Sequence, residues 1–418
     1  MSFTVNKSEK VKRPAHHAND SATAFKNPWP SASTPTWGEL LKLSFPLGWY
    51  PSHPPSEHIL PVKLVKPDWG APALQQRTEE SKSKCIVATW LGHAGMMTQF
   101  PPLNSKNQKK TDDQGIYMIF DPIFSFRAGP TQYTGPARFR KSPCQAEDLP
   151  GCHAAFISHN HYDHMDLASV LGITRRFPTM KWFVPLGNKT WFVGEGVKAE
   201  NVIQLDWWQT WEGSFPDGNT NSTNEGNAWF KITCVPAQHN TGRWGFDAGS
   251  TLWCGWVVER FPSKDQAKNA ETRQGAVYHA GDTGYRRVEK SKDVCPAFKE
   301  IGDRFNGFDL SFVPIWRGGS LSFISYAGVR LLHGQVPSAF HCSPEDSVNI
   351  HKDVKSKNTV AIHFGTFVGS EQESDEAALE FYEACTKADI QSLDSSEVAV
   401  NGRAGKLDIG GSQIFDIE

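Results

Sequence analysis

The sequence predicts an α/β protein in which β-sheets are covered by helices. Three observations point there. Short runs rich in Val, Ile and aromatic residues recur along the chain, as buried strands require. Amphipathic helical stretches alternate unevenly with them, the pattern of sheets layered by helices. The polar side chains that stand out chemically follow directly after such runs, where loops converge beyond strand ends in open sheets.

Residues 1–25 are polar and read as disordered. Residues 26–75 are rich in Pro and Trp and read as an arm packed on the main body, with one short helix near 37–43. The stretch 41–50 (LKLSFPLGWY) also suits a surface that dips into a membrane interface, where Trp and Tyr are favoured. The organised body starts near Cys85, so the division expected is an arm over 1–84, partly disordered, and one domain over 85–418. "CIVATWLGHAGMMTQF" and "GIYMIFDPIF" are β-type runs, and the polar insert 104–115 between them reads as a long hairpin loop. "HAAFISHNH" is a buried strand, followed by a helix around 167–171. "KWFVPL", "NVIQLDWW" and "WFKITCVPAQH" are further strands, and polar loops 215–228 and 263–275 interrupt the later ones. "AVYHAGDTG", "LSFVPIW" and "TVAIHFGTF" are strands ending in polar loops. "PEDSVNIHKDV" opens a helix with Pro344 suited to its first turn. "DEAALEFYEACTKADI" is an amphipathic helix.

Composition narrows the function classes. The 418 residues carry a formal net charge of −2, which leaves no basic footprint for nucleic acid. Hydrophobic residues make up 39% and aromatics 12%, enough for a large core. The 8 cysteines are scattered with no C-x-x-C pair and read as reduced, buried thiols of an intracellular protein. The first 25 residues hold no apolar signal region, and Arg13 is the one Arg before residue 26, sparse for a mitochondrial presequence. No apolar stretch approaches the roughly 20 residues of a membrane-spanning helix. The placement expected is therefore intracellular, cytoplasmic or peripheral on an internal membrane.

The chemistry concentrates in "FISHNHYDHMDL" (156–167), which packs His159, His161, Asp163 and His164 into six positions. In a regular strand His159 and His161 would share a face and Asp163 and His164 would not. A turn and a helix start must re-aim the latter two, so one compact loop could serve two neighbouring metals. Imidazole and carboxylate ligands without thiolate suit Zn²⁺ before Fe or Mn. Two ions about 3.5–4 Å apart can hold a hydroxide at neutral pH and steady both oxygens of a displacement. His239, Asp282 and His363 each follow a separate apolar strand and could join the same site. His153, His279 and His333 read as ordinary core or surface histidines.

The H-x-H-x-D-H spacing resembles the signature of the metallo-β-lactamase superfamily. That resemblance implies a four-layer αβ/βα sandwich with a dinuclear site at one edge. "TWLGHA" (89–94), "DPIFSFRAGPTQYTGPARFRKSPC" (121–144), "ISHNHYDHMD" (157–166), "LDWW" (205–208), "VPAQH" (235–239), "AGDTGY" (280–285), "HCSPEDSVNIH" (341–351) and "AIHFGTF" (361–367) narrow it. They resemble the N-acylphosphatidylethanolamine-hydrolysing phospholipase D family over most of residues 85–370, and "NPWPS" (27–31) matches as well. The family pattern implies one zinc held by His159, His161 and His239. It implies a second held by Asp163, His164 and His363, with Asp282 bridging. Tyr162 and His341 match positions that contact the substrate phosphate region, and His93 is expected near the site in a structural role. After "PAQH" the chain departs from the family with "NTGRWGFDAG", and loops 215–228 and 263–275 look long, so acyl or head-group preference is open.

The reaction these expectations describe is phosphodiester hydrolysis with Asp163 and Asp282 in catalytic positions. By resemblance, the substrate is a phospholipid at a membrane surface, and the products are an N-acylethanolamine and phosphatidic acid. The metal core itself does not choose which P–O bond breaks. A lactonase or phosphodiesterase of a soluble small molecule is the alternative, and a zinc-bearing scaffold without turnover is a third reading. The missing basic footprint disfavours a nuclease. A homodimer is carried as an open expectation, since oligomeric state is not legible in the residues.

Overall fold

The computed structural model describes residues 13–33, 61–102, 115–215, 228–244, 246–287, 291–316, 340–367, 371–395 and 399–417. The expected helix at 37–43, the surface at 41–50, the polar insert 104–115 but for its last residue, most of loop 215–228 and His333 lie outside them.

Two mixed sheets carry the fold. The first contains β1 (Cys85–Gly92), β2 (Gly95–Phe100), β3 (Ile116–Phe120), β4 (Ala154–Phe156), β5 (Lys181–Pro185), β6 (Val202–Leu205) and β15 (Ser412–Asp416). Its order is β15-β1-β2-β3-β4-β5-β6, antiparallel from β15 to β3 and parallel from β3 to β6. The second contains β7 (Thr210–Gly213), β8 (Trp229–Val235), β9 (Gly255–Phe261), β10 (Ala276–His279), β11 (Leu310–Pro314), β12 (Asn358–Ile362), β13 (Gln391–Ser392) and β14 (Arg403–Gly405). Its order is β13-β14-β12-β11-β10-β9-β8-β7, parallel from β13 to β10 and antiparallel from there to β7. The run 85–100, read as one β-type segment, is a hairpin that reverses between Gly92 and Gly95.

Side-chain alternation sorts the core into layers. Trp90, Phe120, Phe156 and Phe183 of the first sheet meet Phe230, Trp256, Phe312 and Val360 of the second in one buried interior. The alternate residues Tyr117, Ile119, Ala155, Trp182 and Val184 face outward. There they pack under α3 (Leu167–Arg176) and α4 (Lys189–Gly194) through Val170, Ile173 and Phe192. On the far side Val257, Tyr278 and Val313 lie beneath α5 (Ala297–Phe305) and α6 (Pro344–Asp353), through Phe298, Ile301, Ile350 and Val354. The order helix, sheet, sheet, helix is the αβ/βα sandwich expected from the sequence. Short helices α1 (Ala71–Gln75) and α2 (Glu79–Ser83) lead into β1, and α7 (Glu371–Lys387) packs against α6. The described cysteines are all buried and unbridged.

The polar N-terminal stretch departs from its expected disorder over residues 13–25. His17 bridges Phe25, and Phe25 N–H donates to the Gly249 carbonyl (2.8 Å). Phe25, His16 and His17 are buried, so a few anchoring side chains outweigh the polar composition.

Candidate metal centre

Strand ends build the site. β4 delivers His159 three residues past its end, β8 delivers His239, β10 delivers Asp282 and β12 delivers His363. After β4 the chain turns sharply: the His164 and Met165 amides both donate to the His161 carbonyl (3.1 and 2.9 Å). Asp166 then caps α3, its side chain accepting from the Ser169 amide (2.9 Å). This turn and cap aim Asp163 and His164 at the cluster, as the spacing required. Gly281 is needed just before Asp282. Its φ is +61°, and a Cβ there would lie 2.6 Å from Ser158 Cβ, so a side chain would push apart the Asp282 and His159 loops.

The side chains converge in two nests. His159, His161 and His239 form one, with His161 Nδ1 lying 2.8 Å from His159 Nε2 and 3.4 Å from His239 Nε2. Asp163, His164 and His363 form the other, joined by His93. Asp282 stands between them: its Oδ2 lies 3.9 Å from His159 Nε2, 3.7 Å from His239 Nε2 and 3.3 Å from His164 Nε2. Its Oδ1 lies 2.9 Å from His363 Nε2. All seven residues proposed as ligands from the sequence therefore meet.

The surrounding hydrogen bonds orient the rings. Ser158 Oγ donates to Asp121 Oδ2 (2.6 Å) and lies 2.9 Å from His159 Nδ1. Asp121 Oδ2 is also 2.8 Å from His164 Nδ1, and the Phe340 carbonyl is 2.8 Å from His239 Nδ1. With Nδ1–H donating outward in each case, Nε2 is the ring atom of His159, His164 and His239 that faces the centre. His164 Nε2, His363 Nε2 and Asp282 Oδ1 are buried and, despite the 2.9 Å approach of the last two, none makes a well-aligned hydrogen bond. Such inward ring nitrogens and carboxylate oxygens, left without aligned partners, fit divalent cations.

Electrostatics agree. Burial and the neighbouring imidazoles hold His159 well below its ordinary value, so it stays neutral. Burial likewise lowers His239, and Asp282 only partly opposes it. Burial also lowers His164, but Asp282, Asp163 and Asp121 outweigh it and raise this imidazole well above the usual range. Burial would raise the Asp282 carboxyl, yet His164 and His363 hold it well below the ordinary range. The second nest thus carries the negative potential a cation would neutralise.

The other sequence candidates separate. His341 is a quarter exposed and its Nε2 lies 3.4 Å from Asp282 Oδ2, at the open side of the cluster. Tyr162 packs on Ile123, Ala128 and Phe367, with the Arg243 guanidinium 4.4 Å over its ring, so it forms the wall beside the nests. His93 Nε2 is 3.0 Å from Asp163 Oδ2, which fits the expected structural role of orienting that carboxylate. His279 stacks on Phe120, and His153 Nδ1 accepts from the Tyr117 amide, as ordinary core histidines do.

Asp121, Ser158 and Arg243 support the site without a motif that marks them in the sequence. Arg243 Nε donates to the Asn160 carbonyl (2.6 Å), and its Nη2 donates to the Met165 carbonyl, bracing the whole histidine loop. The one available signal for Asp121 was its place at a strand end. There it takes a left-handed φ of 41°, as do His93 (52°) and His363 (63°).

Comparison with known proteins supplies the relatives. The model of the Beta-lactamase superfamily domain matches residues 117–364. An N-acyl-phosphatidylethanolamine-hydrolyzing phospholipase D 1 of Caenorhabditis elegans is 33% identical over 285 residues, 68% of this chain and 64% of that protein. A mitochondrial N-acyl-phosphatidylethanolamine-hydrolyzing phospholipase D of Saccharomyces cerevisiae is 27% identical over 336 residues, 80% of this chain and 57% of that protein. The chain spans less than two thirds of the length of either relative. Among solved structures, Igni18, a metallo hydrolase of Ignicoccus hospitalis, aligns with a TM-score of 0.46 at 16% identity, covering 80% of this chain and 100% of that one.

Proposed function

Since this chain belongs to the β-lactamase superfamily of metal-dependent hydrolases, we propose that it is a dinuclear zinc phosphodiesterase of the phospholipase D type. It would hydrolyse N-acylphosphatidylethanolamine to an N-acylethanolamine and phosphatidic acid. The observation that carries the metal chemistry is Asp282, which faces both nests at once. The choice of substrate is supported by the relatives' printed activity. His159, His161 and His239 would hold one ion, and Asp163, His164 and His363 the other, with Asp282 shared. Bound there, two divalent cations would acidify a water and stabilise charge on phosphoryl oxygens.

The chain's own groups then have defined tasks. Asp163 is partly exposed and held by His93, so its Oδ2 can orient the attacking water and take its proton. His341 sits where both Asp282 and solvent reach it, so its Nε2 can pass a proton to the departing oxygen. The bond from phosphorus to the ethanolamine oxygen breaks, and a bond from phosphorus to the water oxygen forms. Tyr162 carries the Arg243 guanidinium over its ring and Trp244 edge-on at 6.5 Å, and Trp244 and Phe246 are exposed, an apolar and cationic surface that would suit a phospholipid at a membrane. Among the described residues no helix is long and apolar enough to cross a membrane, so the reading calls for peripheral attachment.

The test is lipid mass spectrometry after incubation with N-acylphosphatidylethanolamine, beside Asp282→Asn. Turnover by the parent and none by the variant supports the reading. A parent that carries full metal yet releases neither product refutes the substrate.

A further inference from the structure

A second convergence of ligand-type side chains lies apart from the dinuclear centre. His16 Nε2 is 2.7 Å from Asp206 Oδ1, and His17 Nε2 is 2.8 Å from Asp206 Oδ2. The three ligating atoms lie within 4.8 Å of one another, and the three side chains are 9%, 10% and 13% exposed. None of these residues belongs to the proposed dinuclear site.

We propose that His16, His17 and Asp206 form a third metal site, which takes a divalent d-block cation of the zinc type and fastens the N-terminal segment to the body. Adjacent residues seldom aim their side chains at one point. Here the backbone forces it: the His17 amide closes a turn onto the Pro14 carbonyl (3.0 Å), and the Lys26 amide donates to the His16 carbonyl (2.9 Å). The two rings meet edge to face, with centroids 4.5 Å apart and planes at 80°. The corresponding values are 4.5 Å and 82° for His159 with His161, and 4.5 Å and 79° for His159 with His239. The arrangement of two imidazoles about one point is therefore repeated. Stacking of His16 on Trp207 at 4.2 Å fixes one ring from behind. Two imidazoles and a carboxylate make a donor set that zinc accepts, and a water would complete its coordination.

The site would matter for the reaction because of what the segment touches next. Asn27 Nδ2 donates to the carbonyl of His239 (2.7 Å). Ser31 Oγ donates to Gln238 Oε1 (2.6 Å), and Gln238 Nε2 returns a bond to the Ser31 carbonyl (3.2 Å). An ion at His16, His17 and Asp206 would lock this segment and, through it, the backbone of the His239 loop.

The test uses the full chain, loaded with zinc and freed of loose metal, and counts zinc per chain by plasma mass spectrometry. The parent is expected to hold one equivalent more than His16→Gln/His17→Gln, while Asp282→Asn keeps that equivalent. Equal zinc in parent and double variant overturns the proposal. Anomalous diffraction at the zinc edge from parent crystals needs no variant. A peak among the three side chains supports the site. Peaks at other positions with none here overturn it, and mark the cluster as a clasp in which both Nε2–H groups donate to the Asp206 carboxylate.

Discussion

Asp121 spreads one carboxylate over three partners: the Ser158 amide (2.7 Å), Ser158 Oγ and His164 Nδ1. It thereby fixes the orientation of His164 and, through Ser158, of His159. Asp121→Asn keeps the shape but turns one acceptor into a donor facing an N–H. The variant is expected to lose about 10–100-fold in metal affinity or activity, read by competition with a chelating dye. His341 is a separable case because it lies at the open side of the cluster. His341→Gln should lower kcat by about 10²–10⁴-fold if it serves as the acid, with little loss of bound metal. A variant that keeps full kcat would remove His341 from proton transfer. Of the seven ligand candidates, His159, His161, Asp163 and His164 stand out by their crowding, whereas His239, Asp282 and His363 follow apolar runs and join them through the resemblance to the family pattern. Asp121, Ser158 and Arg243 are not legible, since their roles depend on backbone direction and on partners distant in sequence.

Elements show the same division. Strands rich in β-branched and aromatic residues that lead into a polar loop, such as β4, β8, β11 and β12, are readable in the sequence. β9 is not, because "GWVVERF" carries Glu259 and Arg260, yet all seven of its residues are buried. Arg260 reaches the carbonyls of Gln274 (2.7 Å), Pro101 (2.8 Å) and Ser83 (2.8 Å), so its charge is satisfied by backbone that composition does not reveal. The short strands β13 and β14 and the closing strand β15 escaped notice because their pairing is with distant segments; β15 lies against β1. Helix α5 was also passed over, although its packing is among the tightest. A Cβ on Gly302 would lie 2.0 Å from the Asp353 carbonyl oxygen at the end of α6. Gly302→Ala should force the two helices apart and destabilise the fold by about 1–3 kcal/mol, measured as a lower denaturant midpoint at unchanged slope.

At the scale of the whole molecule, the two sheets converge their loops on one edge, and the N-terminal segment closes over part of it. Deleting residues 1–33 removes the Asn27 bond to His239 and the Ser31 pair with Gln238. The truncated chain is expected to hold less zinc and to turn over more slowly, even on a detergent-dispersed substrate where membrane binding is irrelevant. Unchanged zinc content and rate would make the segment a passive strap. Metal should also stabilise the folded chain, so a chelator ought to lower the melting temperature and added zinc restore it in a concentration-dependent way. The chemistry itself is decided by hydrolysing N-acylphosphatidylethanolamine in water enriched in ¹⁸O. Attack on phosphorus with loss of the ethanolamine oxygen places the label in phosphatidic acid and leaves the N-acylethanolamine unlabelled. Label in the N-acylethanolamine, or release of a fatty acid in place of phosphatidic acid, would end the case for a two-metal phosphodiesterase.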